Sequence, residues 1–142
     1  MRRVSDILRR KGSRVTTVPP STCVIDALRM MADQNIGSVV VASNDKFLGI
    51  MTERDYSRKV ILKGRSSTDT TVEEIMSSDF PAVHPRDTVE YCMQLMSQQN
   101  LRYLPVMEEG TLMGILSIND VVTETIITQQ ETISHLESYI RS

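Results

Sequence analysis

The feature that most constrains this chain is that it contains one pattern twice. Residues 18–55 align without a gap on 83–120, at an offset of 65. Val18, Pro20, Val24, Met31, Gln34, Asn35, Val41, Gly49, Ile50 and Asp55 recur as Val83, Pro85, Val89, Met96, Gln99, Asn100, Val106, Gly114, Ile115 and Asp120. A shorter echo precedes each copy: Val4-Ser5-Asp6-Ile7-Leu8 matches Val72-Glu73-Glu74-Ile75-Met76 at an offset of 68. The three-residue difference falls in loops. A register kept through strand, helix and turn patterns alike marks an internal duplication. A chain of 142 residues then forms one domain, or two small halves sharing a core.

Taken in order, Val4–Lys11 is patterned as a short amphipathic helix ended by Gly12. Arg14–Val18 alternates as a strand and Pro19-Pro20 ends it. Ser21 or Thr22 is placed to cap a helix whose apolar face is Val24, Ala27, Leu28, Met31 and Ala32. Val39-Val40-Val41 predicts a strand buried on both faces, and Asn44-Asp45 a hairpin turn into a strand over Phe47–Met51. Thr52–Lys63 is the next expected helix, stopped by Gly64, and the polar stretch 65–71 is the expected linker.

In the second copy Thr71 is placed to cap a helix over Val72–Met76, and Phe80–Val83 is the expected strand. Asp87 or Thr88 caps a helix with Val89, Cys92, Met93 and Met96 inward, and Tyr103–Met107 pairs with Thr111–Leu116 across Glu109-Gly110. No Gly or Pro follows Ser117, so one long helix is expected to the end of the chain. These boundaries divide the chain into 1–64, a linker at 65–71, 72–128 and a helical extension at 129–142.

Chemistry concentrates where each hairpin strand runs into a helix: Gly49-Ile50-Met51-Thr52-Glu53-Arg54-Asp55 and Gly114-Ile115-Leu116-Ser117-Ile118-Asn119-Asp120. Thr52 or Ser117 sits at the N-cap, and Asp55 or Asp120 follows three residues on, over the same turn. A hydroxyl, a carboxylate and helix N-terminal amides suit a polar ligand with vicinal hydroxyls and an anionic group. A carboxylate repels phosphate, so cations are needed nearby. Arg54 and Arg58, one turn apart, are the candidates at the first corner, whereas the second carries Asn119, Val122 and Thr123 there. Multiply charged phosphates are therefore expected to prefer the first corner. The plainer reading is an N-cap with a solvated helix face, Asp55 and Lys59 forming an i,i+4 pair.

The net charge of −2 gives no support to a nucleic-acid surface, and the few aromatic residues include no Trp for base stacking. No apolar run approaches the roughly 20 residues of a membrane span, and no signal peptide is recognisable. Cys23 and Cys92 lie at non-equivalent positions without metal-ligand spacing, which reads as two reduced thiols of a cytoplasmic protein. No nucleophile with a base, no metal constellation and no phosphate loop is present, so the chain is not expected to be an enzyme or to require a cofactor.

Each repeat resembles a CBS motif: Val-x-Pro before a helix, an apolar helix ending in Asn, Leu104-Pro105-Val106, and Gly-Ile-x-[Thr/Ser]-x-x-Asp. The tandem resembles a CBS pair, or Bateman module, of the small stand-alone bacterial kind. The resemblance implies an α/β (α+β) fold of two β-α-β-β-α motifs related by a pseudo-twofold, followed here by a long C-terminal helix. It also implies clefts between the motifs for an adenosyl ligand such as AMP, ADP, ATP, S-adenosylmethionine or NAD. Ribose would then sit on Asp55 or Asp120, with adenine between Thr16, Thr17 or Ala82 and Ser38 or Tyr103. Arg102 holds a position where the family often places a ligand-facing residue. The ligand-binding set expected is thus Thr17, Ser38, Thr52, Arg54, Asp55, Arg58, Ala82, Arg102, Tyr103, Ser117 and Asp120. The function implied is non-catalytic regulation of an unknown partner protein by an adenine nucleotide. The alternative is an assembly module with vestigial clefts.

The extension adds an expectation of its own. Val122, Ile126, Gln129, Ile133, Leu136 and Ile140 alternate in steps of four and three, the seam of a coiled coil. CBS pairs commonly form homodimers, so residues beyond about Thr128 are expected to contact a second chain.

Overall fold

A computed structural model describes residues 2–12 and 14–141, which fall into two compact units. One comprises Arg14–Phe80; the other joins Met1–Ser13 to Pro81–Ser142. These units cut across the repeat boundaries. The lead-in helix of each repeat packs in the unit built by the other repeat.

In the unit Arg14–Phe80 the order is β1 (Thr17–Val18), α2 (Val24–Gln34), β2 (Ser38–Ser43), β3 (Lys46–Thr52), α3 (Glu53–Tyr56), a π-helical turn (Ser57–Ile61) and α4 (Val72–Ile75). β1 runs parallel to β2, and β2 pairs antiparallel with β3 in register Ser38↔Thr52 and Val40↔Ile50. The Val39-Val40-Val41 run is buried, as its unbroken apolar pattern predicts. Val39 and Val41 meet Val24, Ala27 and Met31 of α2 and Val72 and Ile75 of α4 in one cluster with Val18 and Met51. Ala32, expected on this face, is exposed.

The other unit comprises α1 (Val4–Lys11), α5 (Val89–Gln99), β4 (Tyr103–Glu108), β5 (Thr111–Ser117) and α6 (Ile118–Arg141). β4 and β5 pair in register Tyr103↔Ser117 and Pro105↔Ile115. Val4 and Ile7 of α1 share a core with Cys92 and Met96 of α5, Leu104, Leu116 and Val121. Leu95 is buried, but Met93, expected inward, is 41% exposed.

The duplication extends to backbone detail. Asn35 and Asn100 end α2 and α5 in the left-handed conformation, with φ of 54° and 53°, which Asn tolerates better than most side chains. Both hairpins slip register at equivalent places, after Val41 and after Val106. Both turns carry two residues of positive φ, Asn44-Asp45 and Glu109-Gly110, as two-residue hairpins require.

Several expectations need correction. The strand over Arg14–Val18 is reduced to Thr17–Val18, and Phe80–Val83 forms a single bridge, Val83↔Val106. Neither Ser21 nor Thr22 caps α2. Its N-cap is Cys23, and backbone carbonyls of the expected linker take its first amides: Val24 N–H donates to Thr70 O at 2.8 Å and Ile25 N–H to Ser67 O at 3.0 Å. The segment 65–71 is accordingly a structured cap, with Thr70 buried. The helix after Thr52 changes to π geometry at Ser57 rather than continuing as α.

Candidate functional site

The two strand-to-helix corners are built alike, each within a single unit. At the first, β3 delivers Thr52 to the N-cap of α3, where its hydroxyl accepts from Asp55 N–H at 3.1 Å. Oδ2 of Asp55 reciprocates, accepting from Thr52 N–H and from its hydroxyl, both at 3.0 Å. Such a capping box satisfies amides that helix geometry leaves unpaired. Oδ1 accepts from the Ser77 hydroxyl at 3.0 Å and pairs with Lys59 Nζ at 3.1 Å. Lys59 also donates to Ile75 O at 2.9 Å. Both oxygens of Asp55 are thus engaged, and the residue is 8% exposed.

At the second corner Ser117 Oγ accepts from Asp120 N–H at 3.1 Å, and Asp120 Oδ2 accepts from Ser117 N–H at 2.8 Å. The same Oδ2 lies 2.7 Å from Nζ of Lys11, which also donates to Ile115 O at 2.9 Å. The sequence pattern left this corner without a cation; Lys11 supplies one across 109 positions of chain. No local signal announces such a contact. One turn further along α6, Glu124 is buried and its carboxylate pairs with Arg10 Nε at 3.0 Å and Arg2 Nε at 3.4 Å. Arg2 reaches on to Glu131. Basic side chains at and before α1 therefore track the acidic positions 120, 124 and 131 of α6.

Glycine at each corner has a steric reason. A Cβ on Gly49 would lie 2.8 Å from Ser77 O and 2.9 Å from Met76 Sδ; on Gly114 it would lie 2.8 Å from Leu8 Cδ2. Leu8 and Met76 are equivalent positions of the two lead-in helices. Each strand passes directly against the helix that precedes the other repeat.

The remaining candidates divide. Ser38 is the register partner of Thr52, and Tyr103 that of Ser117, so both stand at the corner end of their hairpins. Thr17 lies on the neighbouring strand opposite Val40, and Ala82 precedes the Val83 bridge; both are exposed. Arg54 and Arg58 are exposed, and the cation on Asp55 is Lys59, not either arginine. Arg102 is exposed, and its carbonyl closes the start of α6 by accepting Ile118 N–H at 2.9 Å. His84 pairs with Glu108 at 3.3 Å. Lys11, Ser77 and Glu124 are the residues that sequence reasoning missed.

The sequence profile of the CBS domain matches residues 4–61 and 72–126. The chain belongs to the CBS-domain family. Across 147 aligned residues, 97% of this chain and 71% of the relative, it is 34% identical to the mitochondrial CBS domain-containing protein CBSX3 of Arabidopsis thaliana. A CBS-domain protein of Burkholderia ambifaria MC40-6, provisionally assigned to signal transduction, superposes with a TM-score of 0.85 at 42% identity, covering 89% of this chain and 96% of that one. The CBS domain pair of protein MJ0100, solved with 5′-methylthioadenosine and S-adenosylmethionine, shares the fold: its TM-score is 0.75 at 22% identity, over 87% of this chain and 94% of that one. CBS pairs of this kind are regulatory and signal-transduction proteins. Among the described residues no helix is long and apolar enough to cross a membrane, and no three His, Cys, Asp or Glu side chains converge to hold a metal.

Proposed function

We propose that this CBS pair is a non-catalytic regulatory module that binds an adenosyl ligand of the AMP, ATP or NAD class at its two corners. It passes the bound state to a partner protein by a change of conformation. The observation that carries this reading is the repeated hydroxyl–aspartate pair, each with a lysine ammonium within 3.1 Å of the carboxylate. A carboxylate accepts from both hydroxyls of a ribose, and the adjacent ammonium offsets its repulsion of a phosphate. The ligands held by the MJ0100 pair support an adenosyl group as the part recognised. In this assignment ribose meets Asp55 or Asp120, the base lies by Thr17 and Ser38 or by Ala82 and Tyr103, Arg54 and Arg58 supply donors to phosphates at the first corner, and Arg102 faces the ligand at the second. A cytoplasmic site of action accords with it, since Cys23 and Cys92 stand as free thiols.

We also propose a homodimer. A second reading, assembly without ligand, draws on the exposed apolar stripe of α6, where Ile133 and Leu136 are more than half exposed. A thermal-shift panel of AMP, ATP, NAD and S-adenosylmethionine separates the two. A ligand that binds the native state raises the melting temperature in a concentration-dependent way. A flat response to the whole panel at millimolar concentration favours assembly alone.

A further inference from the structure

We infer that Lys11 is the anion-recognising residue of the second corner, selecting phosphate-bearing adenosyl ligands over uncharged ones. This rests on the assignment of Asp120 to a ribose. Lys11 is the last residue of α1, where a basic side chain ordinarily turns toward the helix's own terminal carbonyls. Here it reaches Asp120 Oδ2 at 2.7 Å and Ile115 O at 2.9 Å. Those contacts account for two of the three donors of an ammonium, and the side chain is 30% exposed.

The other cations of this segment are committed elsewhere. Arg9 faces Asp6 at 3.4 Å, while Arg10 and Arg2 are drawn to the buried carboxylate of Glu124. That triad pins α1 against α6 and leaves Lys11 as the member directed at the corner. At the offset of 68 its counterpart is Asp79, so the duplication does not repeat this lysine. Lys59, four residues beyond Asp55, is replaced by Glu124 in the second copy, so the cation is restored from a different helix.

Discrimination follows from the exchange of partners. An uncharged nucleoside competes with the ammonium for Asp120 and returns nothing to it. A nucleotide brings its own anion, so Lys11 keeps an acceptor when the ribose engages the carboxylate.

The experiment is calorimetric titration of the full chain with AMP and with adenosine, the second-corner step being the one that Asp120→Ala weakens. Lys11→Met is expected to weaken AMP in that step at least tenfold and to leave adenosine no weaker, since its competitor for Asp120 is gone. Lys11→Arg keeps AMP within about threefold, and Arg9→Met, at an exposed cation of the same helix that faces Asp6, leaves the AMP-to-adenosine ratio unaltered. An unchanged ratio in Lys11→Met, with its melting temperature retained, overturns the role of Lys11 alone. A ratio that collapses in Arg102→Met instead assigns the role to Arg102 and likewise overturns it. If neither compound binds the parent, or Asp120→Ala weakens no step, the ligand reading itself fails and this inference with it.

Discussion

The ammonium of Lys11 sits 2.7 Å from Oδ2 of Asp120, doing in one repeat what Lys59 does for Asp55 in the other. The two lysines come from unrelated places in the duplicated pattern. Each corner carboxylate thus has a cation beside it, though the two lysines do not occupy equivalent repeat positions.

The two aspartates should differ in what their loss does to stability. Asp55 uses both oxygens on Thr52, Ser77 and Lys59, whereas the contacts of Asp120 converge on Oδ2. Asp55→Ala is expected to cost about 1–3 kcal/mol and Asp120→Ala less. Urea denaturation checks the order. In ligand titrations each replacement should weaken its own site by roughly 1.5–3 kcal/mol, the worth of a charge-assisted hydrogen bond.

Gly49→Ala and Gly114→Ala form a paired test of packing. The new methyl at 49 meets a backbone oxygen, Ser77 O, which cannot move without breaking its bridge to Ile50. At 114 it meets the far end of Leu8, which can change rotamer. The first substitution should cost on the order of 1–3 kcal/mol and the second under about 1, read as melting-temperature shifts.

The thiols give a chemical check. Burial, reinforced by the nearby Asp87 charge, pushes the Cys92 thiol from 9.0 up to about 12. Because the native state holds the neutral form, Cys92 contributes stability that is intact below pH 9.0 and is lost as pH rises toward about 12. Native protein should react with a thiolate-specific reagent at Cys23, which is half-buried, and at Cys92 only on unfolding. Equal rates at both would contradict the packing of α5.

Much of this fold was legible because its signals are local. Asn35 and Asn100 end helices in a conformation few side chains tolerate, and the two hairpin turns carry their positive-φ residues at the tips. The corner aspartates were legible for the same reason, three residues from their caps. What escaped was set by distant chain. Residues 67 and 70 supply the carbonyls that start α2, so no side-chain cap at 21 or 22 was needed. Lys11 finds Asp120, and Glu124 is buried, only because α1 lies against α6. The switch to π geometry at Ser57 has no signal in the sequence that we can identify.

The last helix makes the most exposed commitment. α6 runs 24 residues, and its stripe Val122, Ile126, Ile133, Leu136 and Ile140 is between 44% and 80% exposed. With Gln129 included, isoleucines fall at every a position and Val122, Gln129 and Leu136 at d. Isoleucine at a with leucine at d favours two strands, and one polar seam residue fixes register at some cost in stability. The α6 residues buried in the unit core, Val121 and Glu124, all lie in its first two turns, so the later turns project beyond it. A second copy of the same helix is the occupant this spacing fits. Light scattering should return twice the 16.0 kDa chain mass, and deletion of residues 129–142 should return the mass of one chain. Deletion also removes Glu131 from Arg2, so Ile133→Lys with Leu136→Lys provides the cleaner test, leaving that pair in place. If both variants remain as dimeric and as thermally stable as the parent, α6 plays no part in assembly.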